Sequence, residues 1–366
     1  MAKKIRVGIL FGGKSAEHEV SIQSAKNVYT ALDKEKYEPV LIGIDRQGAW
    51  YIQESSIFSL KAYTDEVKKI PHKKSELSLT PGSTESHLIA SGVQSLGNLD
   101  VIFPVLHGTY GEDGSMQGLL KVMGIPYVGA SVLGSAVGMD KDVMKKLLKV
   151  EGLPIVKHMV IHDSEKSAIT YEMVAEVLGD VFFIKPANMG SSVGVSKIKN
   201  IKEFDNALSF AFQFDRKVLI EEYIPCEEIE CSVLGNDVPV ASLPGRIISK
   251  HEFYSYEAKY IDENGAKLEI PANLPEQLIK TIQELSVHAF KALYCEGMAR
   301  VDFFLDKNTN ELYVNEINTI PGFTKISMYP QLWEATGMSY SELIDRLIEL
   351  AIERFEKEKM LRTTRE

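Results

Sequence analysis

The sequence predicts an α/β protein with a doubly wound parallel-sheet unit at its N-terminus and α+β parts towards its C-terminus. Three observations carry this. Over the first 130 or so residues, short apolar runs alternate with helix-period segments across Gly-rich turns, the pattern of parallel strands linked by crossover helices. Near the C-terminus two β-type runs, 298–305 and 312–317, flank a polar turn and read as an antiparallel hairpin. The chain has 366 residues, 45% hydrophobic and 25% charged, enough for an ample core and for two or three domains.

Taken in order, residues 4–11 form a buried strand, 16–32 a helix introduced by Ser15, and 37–44 the next strand. Residues 53–98 carry Pro, Ser and Lys clusters with weak periodicity and read as irregular with short strands. The apolar run 100–106 is a strand, followed by the loop HGTYGEDGS and a helix near 116–123. A helical stretch at 135–151 leads to strands at 155–161, 181–186, 194–198, 217–222 and 229–234, with helices at 171–178 and 201–212. The polar, aromatic segment 245–272 has few regular signals, and a segment of that length in a compact domain reads as a lid. A helix at 276–294, the hairpin and a helix at 339–359 close the chain. The expected division is 1–130, 131–235 and 236–366.

The net charge of −10 argues against a nucleic-acid or anionic-membrane partner. Three cysteines, Cys226, Cys231 and Cys295, lack zinc-ligand spacing and read as reduced thiols, with Cys226 a small apolar filler. The opening MAKKIRVGILFGG resembles a signal peptide, but Lys14, Glu17, His18 and Glu19 follow where a cleavage site would lie. No apolar run approaches bilayer length, so a cytoplasmic protein is expected.

The chemistry concentrates in RVDFFLDKNTNELYVNEINTIPGFTKISM, residues 300–328. Side chains two apart on a strand share a face, so Asp302 can point the same way as Glu316 and Asn318 on the adjacent strand. Two carboxylates and an amide oxygen are hard ligands suited to magnesium that bridges phosphates. Arg300 falls on the same face. A solvated hairpin edge is the bland reading of Asp302 alone; the full set points to nucleotide chemistry. Upstream, residues 8–15 satisfy the P-loop pattern G-x-x-x-x-G-K-S. Gly8 lies inside the apolar run, however, and Glu17 and Glu19 occupy the helix start that would receive phosphate. The alternative is that this turn holds a small zwitterion, with Glu17 accepting from its ammonium. Lys185 precedes the Gly-Ser loop 188–194, whose backbone N–H groups can approach phosphate closely. Lys141 is a second cation at a helix start. The strand 218–224 has an edge whose backbone could pair with adenine, and Glu228 could reach ribose hydroxyls.

That order of lysines, Gly-Ser loop, acidic strand end, lid, Arg-x-Asp and Glu-x-Asn resembles the ATP-grasp superfamily. Within it the chain is similar to the bacterial D-alanine–D-alanine ligase family, through FGGKSAEHEVS, PVLHGTYGEDGSMQG, GMDKDVMK, IKPANMGSSVGVSK, FYSYEAKY and VNEINTIPGFTKISM, all in family order. The resemblance runs from Gly8 to about Arg346. It implies an ATP-grasp fold behind the parallel-sheet unit. It also implies ATP-dependent joining of two D-alanines through a D-alanyl phosphate, for peptidoglycan synthesis. Glu17 would hold the first ammonium with His107 nearby, and Ser191 and Tyr260 would form a network with Glu17 that clamps the lid. Lys141, Lys185, Ser192 and the lid residue Lys259 would bind ATP phosphates, while Glu221, Glu222, Ile224 and Glu228 surround adenine and ribose. Asp302, Glu316 and Asn318 would hold two magnesium ions, with manganese a possible substitute. Arg300 and the Gly322 backbone would stabilise an oxyanion, and Ser327 with Met328 would receive the second carboxylate. A homodimer is implied too. A tyrosine at 260 favours an amine over a hydroxyl acceptor. The neighbouring readings are a D-lactate or D-serine ligase and, from another class, a catalytically silent ATP-binding module.

Overall fold

The computed structural model describes residues 3–58, 76–82, 88–90, 97–249, 266–362 and 365. The N-terminal unit contains β1 (Ile5–Gly12), α1 (His18–Ala31), β2 (Tyr37–Ile44), β3 (Trp50–Gln53), the short pair β4 (Leu77–Leu79) and β5 (Leu88–Ala90), and β6 (Val101–Pro104). Its sheet runs β3-β2-β1-β6, parallel except for the antiparallel edge strand β3. From Val7 onwards strand β1 is apolar and buried because both its faces are covered. Val7, Ile9 and Phe11 join α1 residues in one core, whereas Leu10 belongs to a second core on the opposite face. Gly8 shares that second face, where a Cβ would come within 2.7 Å of Leu99. It is a packing glycine of the strand, which removes the P-loop reading. Helix α1 begins later than expected: Ser15 Oγ accepts from the Glu17 amide rather than capping a helix at residue 16.

Next come α2 (Ser115–Val122), α3 (Val132–Met139) and α4 (Lys141–Val150). The single helical stretch expected over 135–151 is broken at Asp140. This residue is extended, and its carboxylate accepts from the amides of Asp142 and Val143, both at 3.1 Å, so it caps α4.

The second sheet is formed by β7 (His158–His162), β8 (Phe182–Pro186), β9 (Ser196–Ile198) and β10 (Lys217–Glu222), in the order β7-β10-β8-β9 and antiparallel throughout. Helices α5 (Tyr171–Leu178) and α6 (Ile201–Ala211) supply Val174, Phe204 and Leu208 to its core. The strand through 218–222, expected to offer an edge to adenine, is instead interior. It is paired on both sides up to Glu221 and Glu222, so its backbone is not open to a ligand.

The third sheet comprises β11 (Cys226–Gly235), β12 (Val240–Ala241), β13 (Gly245–Ser249), β14 (Ala266–Glu269), β15 (Gly297–Asp306) and β16 (Leu312–Asn318). Its order is β14-β13-β11-β15-β16, with β12 paired to β11. Strand β11 pairs with β15 at ten positions, so the passage from second to third sheet falls at residues 223–225, ahead of the expected division at 235. Helix α7 (Glu276–Ala292) and α4 cover one face of this sheet. Helix α8 (Met328–Thr336) follows the hairpin, and α9 (Tyr340–Lys359) returns to pack Leu343, Leu347 and Ile348 into the core of the first sheet. No helix among the described residues is long and apolar enough to cross a membrane.

Candidate functional site

The hairpin β15–β16 sets Asp302 opposite Glu316 and Arg300 opposite Asn318, the juxtaposition that strand periodicity predicts. The register slips after Asp302, leaving Asn315 as the extra residue of a bulge, a common device for re-aiming side chains beside a site. Arg300 grips Asp302 bidentately, with Nε to Oδ1 and Nη2 to Oδ2 both at 2.7 Å. It also pairs with Glu230 of β11 at 2.9 Å. Burial works against the guanidinium charge, but Asp302 and Glu230 hold its pKa well above the ordinary value. Asn318 donates its amide N–H to Asp302 at 2.9 Å.

Across the cleft, α4 and the second sheet supply the cations. Lys141 donates to the Met189 carbonyl at 2.8 Å and pairs with Glu316 at 3.4 Å. Lys185 of β8 pairs with Glu221 of the neighbouring β10. Glu221 is buried and is also bound by Lys145 at 2.9 Å. Burial alone would raise this carboxyl, but the two ammonium groups overcome it and hold the pKa at about 2. The Glu221 carboxylate is therefore taken up by lysines at the cavity wall. Glu222 accepts from the Lys157 amide at 2.7 Å. In the loop after β8, Ser191 and Ser192 both adopt left-handed backbone conformations, φ 51° and 59°. Such strain costs of order 1–3 kcal/mol per residue and clusters at functional sites.

Between the second and third sheets lies a cavity of ≈ 470 Å³, lined by Lys141, Lys185, Ser191, Ser192, Glu221, Glu222, Ile224, Glu228 and Glu316, with Phe183, Ile247 and Phe304 as apolar walls. That volume suits a nucleotide-sized ligand. Cys226 also lines it, and burial pushes its thiol up to about 12, which leaves it unreactive near neutrality.

One end of this cavity meets the N-terminal unit. Ser191 Oγ donates to Glu17 Oε1, joining the loop after β8 to the residue before α1. Buried Glu17 lies beside Gly108, where a Cβ would come within 2.7 Å of its carboxylate. His107 is fully enclosed by the fold. Its Nδ1 donates to the Ile320 carbonyl at 3.0 Å, and its Nε2 accepts from Ser24 at 3.1 Å. A carbonyl can only accept, so this tautomer follows from the geometry, and burial lowers the pKa to match a neutral ring. Because Ser24 also accepts from the Phe323 amide, His107 fixes the 320–323 turn from both ends. Gly322 in that turn sits tightly against Ser327, where a Cβ would come within 2.6 Å of Oγ. Ser327 and Met328 form the start of α8; the Met328 side chain packs with Ile247 and Leu332, and the Ser327 amide donates to the Thr324 carbonyl at 3.1 Å.

Asp302, Glu316 and Asn318 fit a hard divalent cation by their oxygen chemistry. Both carboxylates already draw positive side chains, Arg300 and Lys141, towards them. Three ligands fall short of the six magnesium requires, so phosphate and water would complete the shell. Lys259 and Tyr260 lie outside the described residues. Sequence reasoning missed Lys145, Glu230 and Glu112. Glu112 accepts from the Gly108 amide at 2.8 Å, and burial together with neighbouring Glu17 raises its pKa. Only its place in the GEDGS loop could have signalled it.

Comparison with known proteins bears on this geometry. Residues 6–130 match the family model described as D-ala D-ala ligase N-terminus, and residues 147–349 the one described as D-ala D-ala ligase C-terminus. A D-alanine–D-alanine ligase of Oceanobacillus iheyensis is 53% identical over 363 residues, covering 99% of each chain. Among solved structures, the D-alanine–D-alanine ligase of Coxiella burnetii superposes with a TM-score of 0.83 at 38% identity, covering 98% of this chain and 97% of that one. A D-Ala:D-Ser ligase from Enterococcus faecalis gives the same TM-score at 35% identity, covering 95% and 100%. Two family models in order and end-to-end identity above half place the fold and the cleft in one lineage: the chain belongs to the D-alanine–D-alanine ligase family.

Proposed function

We infer that the chain joins two D-alanine molecules at the expense of ATP, releasing ADP and phosphate, and supplies the dipeptide for peptidoglycan in the cytoplasm. The observation that carries this reading is the Ser191–Glu17 hydrogen bond. It brings the cleft with phosphate-binding character to the carboxylate expected to hold an amino acid. Curated relatives named D-alanine–D-alanine ligase reach 53% and 54% identity, above the 35% of the one named for D-serine, which favours D-alanine as acceptor.

In the first step the D-alanine held by Glu17 presents its carboxylate to the γ-phosphorus. A carboxylate O–P bond forms, the bond to the β–γ bridging oxygen breaks, and ADP leaves with that electron pair. Lys141, Lys185 and the backbone of the 188–194 loop offset the repulsion between two anions. Asp302, Glu316 and Asn318 are the residues that would hold magnesium, or manganese, whose charge would serve the same end. In the second step the neutral amine of the other D-alanine, its carboxylate at the start of α8 near Ser327 and Met328, attacks the acyl carbon. Arg300 and the Gly322 N–H hold the oxyanion; phosphate departs and the amine loses a proton. Ile224 and Glu228 line the adenine and ribose end. Since the Tyr223 amide is bonded to the Val181 carbonyl and the Pro225 carbonyl accepts from Lys307, adenine pairing would fall to the backbone around Ile224.

A coupled ADP assay with D-alanine, L-alanine, D-serine and D-lactate across pH tests the reading. Release of ADP should require D-alanine and cease with EDTA. Equal release with L-alanine, or with no amino acid, would sink it.

A further inference from the structure

Lys141 and Lys145 stand one turn apart on the same face of α4. The first faces the cleft; the second is wholly buried and reaches two other elements. Its ammonium binds Glu221 Oε1 on β10 at 2.9 Å and the Asn315 carbonyl, at the bulge beside Glu316, at 3.4 Å. The other oxygen of Glu221 binds Lys185. One carboxylate is thus shared by two ammonium groups, only one of which reaches the cavity.

We propose that Lys145 is a positioning residue for the triphosphate: by occupying one oxygen of Glu221 it leaves the Lys185 ammonium with surplus positive charge for phosphate. This rests on the reading of Lys185 as a phosphate ligand. With a single lysine, Glu221 would form a neutral pair and draw Lys185 back against β10. With two, the trio carries a net positive charge, placed at the cavity wall. Burial lowers the Lys145 pKa and Glu221 opposes that, while the carboxylate stays ionised. Stability alone is a poor reason for this arrangement, because apolar residues of similar volume commonly replace buried ion pairs without loss. The i, i+4 spacing also ties the inner lysine to Lys141, so one helix turn sets both cations.

The test compares binding of a non-hydrolysable ATP analogue with magnesium against binding of adenosine, by calorimetry. Lys145→Met should weaken the analogue by about 10- to 100-fold, as expected for losing one buried charge near the phosphates, with adenosine changed less than about threefold. The double variant Lys145→Met/Glu221→Gln should recover the analogue to within about threefold of the parent, since the competing carboxylate is gone too. Should the methionine variant fail to fold, Lys145→Gln keeps a donor to Glu221 without the charge and carries the same expectation. Unchanged analogue binding, equal loss for both ligands, or no recovery in the double variant would each overturn the proposal and leave a packing role. Lys185→Met is the control: if it binds the analogue normally, the reading of Lys185 itself fails.

Discussion

Arg300 is fixed by two carboxylates on two different strands, Asp302 beside it on β15 and Glu230 across the ladder on β11. Held this way, its guanidinium loses little freedom when an oxyanion develops. Arg300→Lys keeps the charge but not the fork, so kcat should drop by about 10²–10³ while the KM for ATP moves little. Steady-state kinetics with saturating D-alanine read the difference, and a variant with near-parental kcat removes the oxyanion role. Glu221 gives a pH signature. Its carboxyl is depressed from 4.5 to about 2, so the folded chain binds fewer protons than the unfolded one between those values. The stabilisation is present above pH 4.5 and is lost as pH falls through about 2. Its size is of order 3 kcal/mol. Urea unfolding of the parent should therefore lose more stability between pH 5 and 2 than unfolding of Glu221→Gln does; parallel curves would contradict the pairing. Arg300, Asp302, Glu316 and Asn318 were legible in the sequence because a period of two puts them on one face. Lys145 and Glu230 were not, because their partners arrive from strands distant in the chain, and a lysine inside a polar-looking helix reads as solvated.

At the level of elements, helix α9 is held by two unlike devices, a cap within the helix and a bridge to the N-terminal unit. Ser339 caps it reciprocally with Glu342, a Ser-x-x-Glu signal visible in the sequence. Fifteen residues on, Arg354 is buried, donates to the carbonyls of Gly129 and Tyr127 at 2.7 and 2.8 Å, and lies over the Tyr127 ring at 4.6 Å. Ser339→Ala should cost about 1 kcal/mol in denaturant unfolding. Arg354→Met strands two buried carbonyls and should cost about 2–5 kcal/mol, with Arg354→Lys recovering only part. Equal effects of the two substitutions would mean that the arginine does not bridge the elements. The cap could be read from local sequence, whereas the bridge depends on which surface α9 meets. The same limit explains the helix break at Asp140: its side chain caps α4 while also receiving Lys217 at 2.7 Å, a partner in another sheet. It also explains β10. Local apolarity marked a strand at 217–222 correctly but held nothing about the neighbours that enclose it on both sides.

For the whole molecule, the decisive contact is the one that crosses between units. Strand periodicity and Gly-rich loops made the first sheet and the hairpin legible, but the passage into the third sheet at 223–225 was obscured by the continuous β-type character of 217–235. Through Ser191 the loop after β8 reaches Glu17, so the cleft proposed for the nucleotide and the position proposed for the first amino acid share one hydrogen bond. Two strained serines hold that loop, and the strain persists only while surrounding contacts determine it. If a nucleotide orders the loop, Ser191 is presented to Glu17 in advance, and the amino acid binds a site already assembled. Linkage then requires D-alanine to tighten nucleotide binding by the same factor. The parent should show mutual tightening of a non-hydrolysable ATP analogue and D-alanine, of about 5- to 150-fold. In Ser191→Ala each ligand alone should bind within a few-fold of the parent, while the coupling falls towards unity. Calorimetric titration of each ligand, with and without the other at saturation, measures both sides of the cycle. Coupling that survives the loss of the hydroxyl would show that the two halves communicate by another route, through the 320–323 turn that His107 fixes, and that the Ser191 contact only accompanies closure.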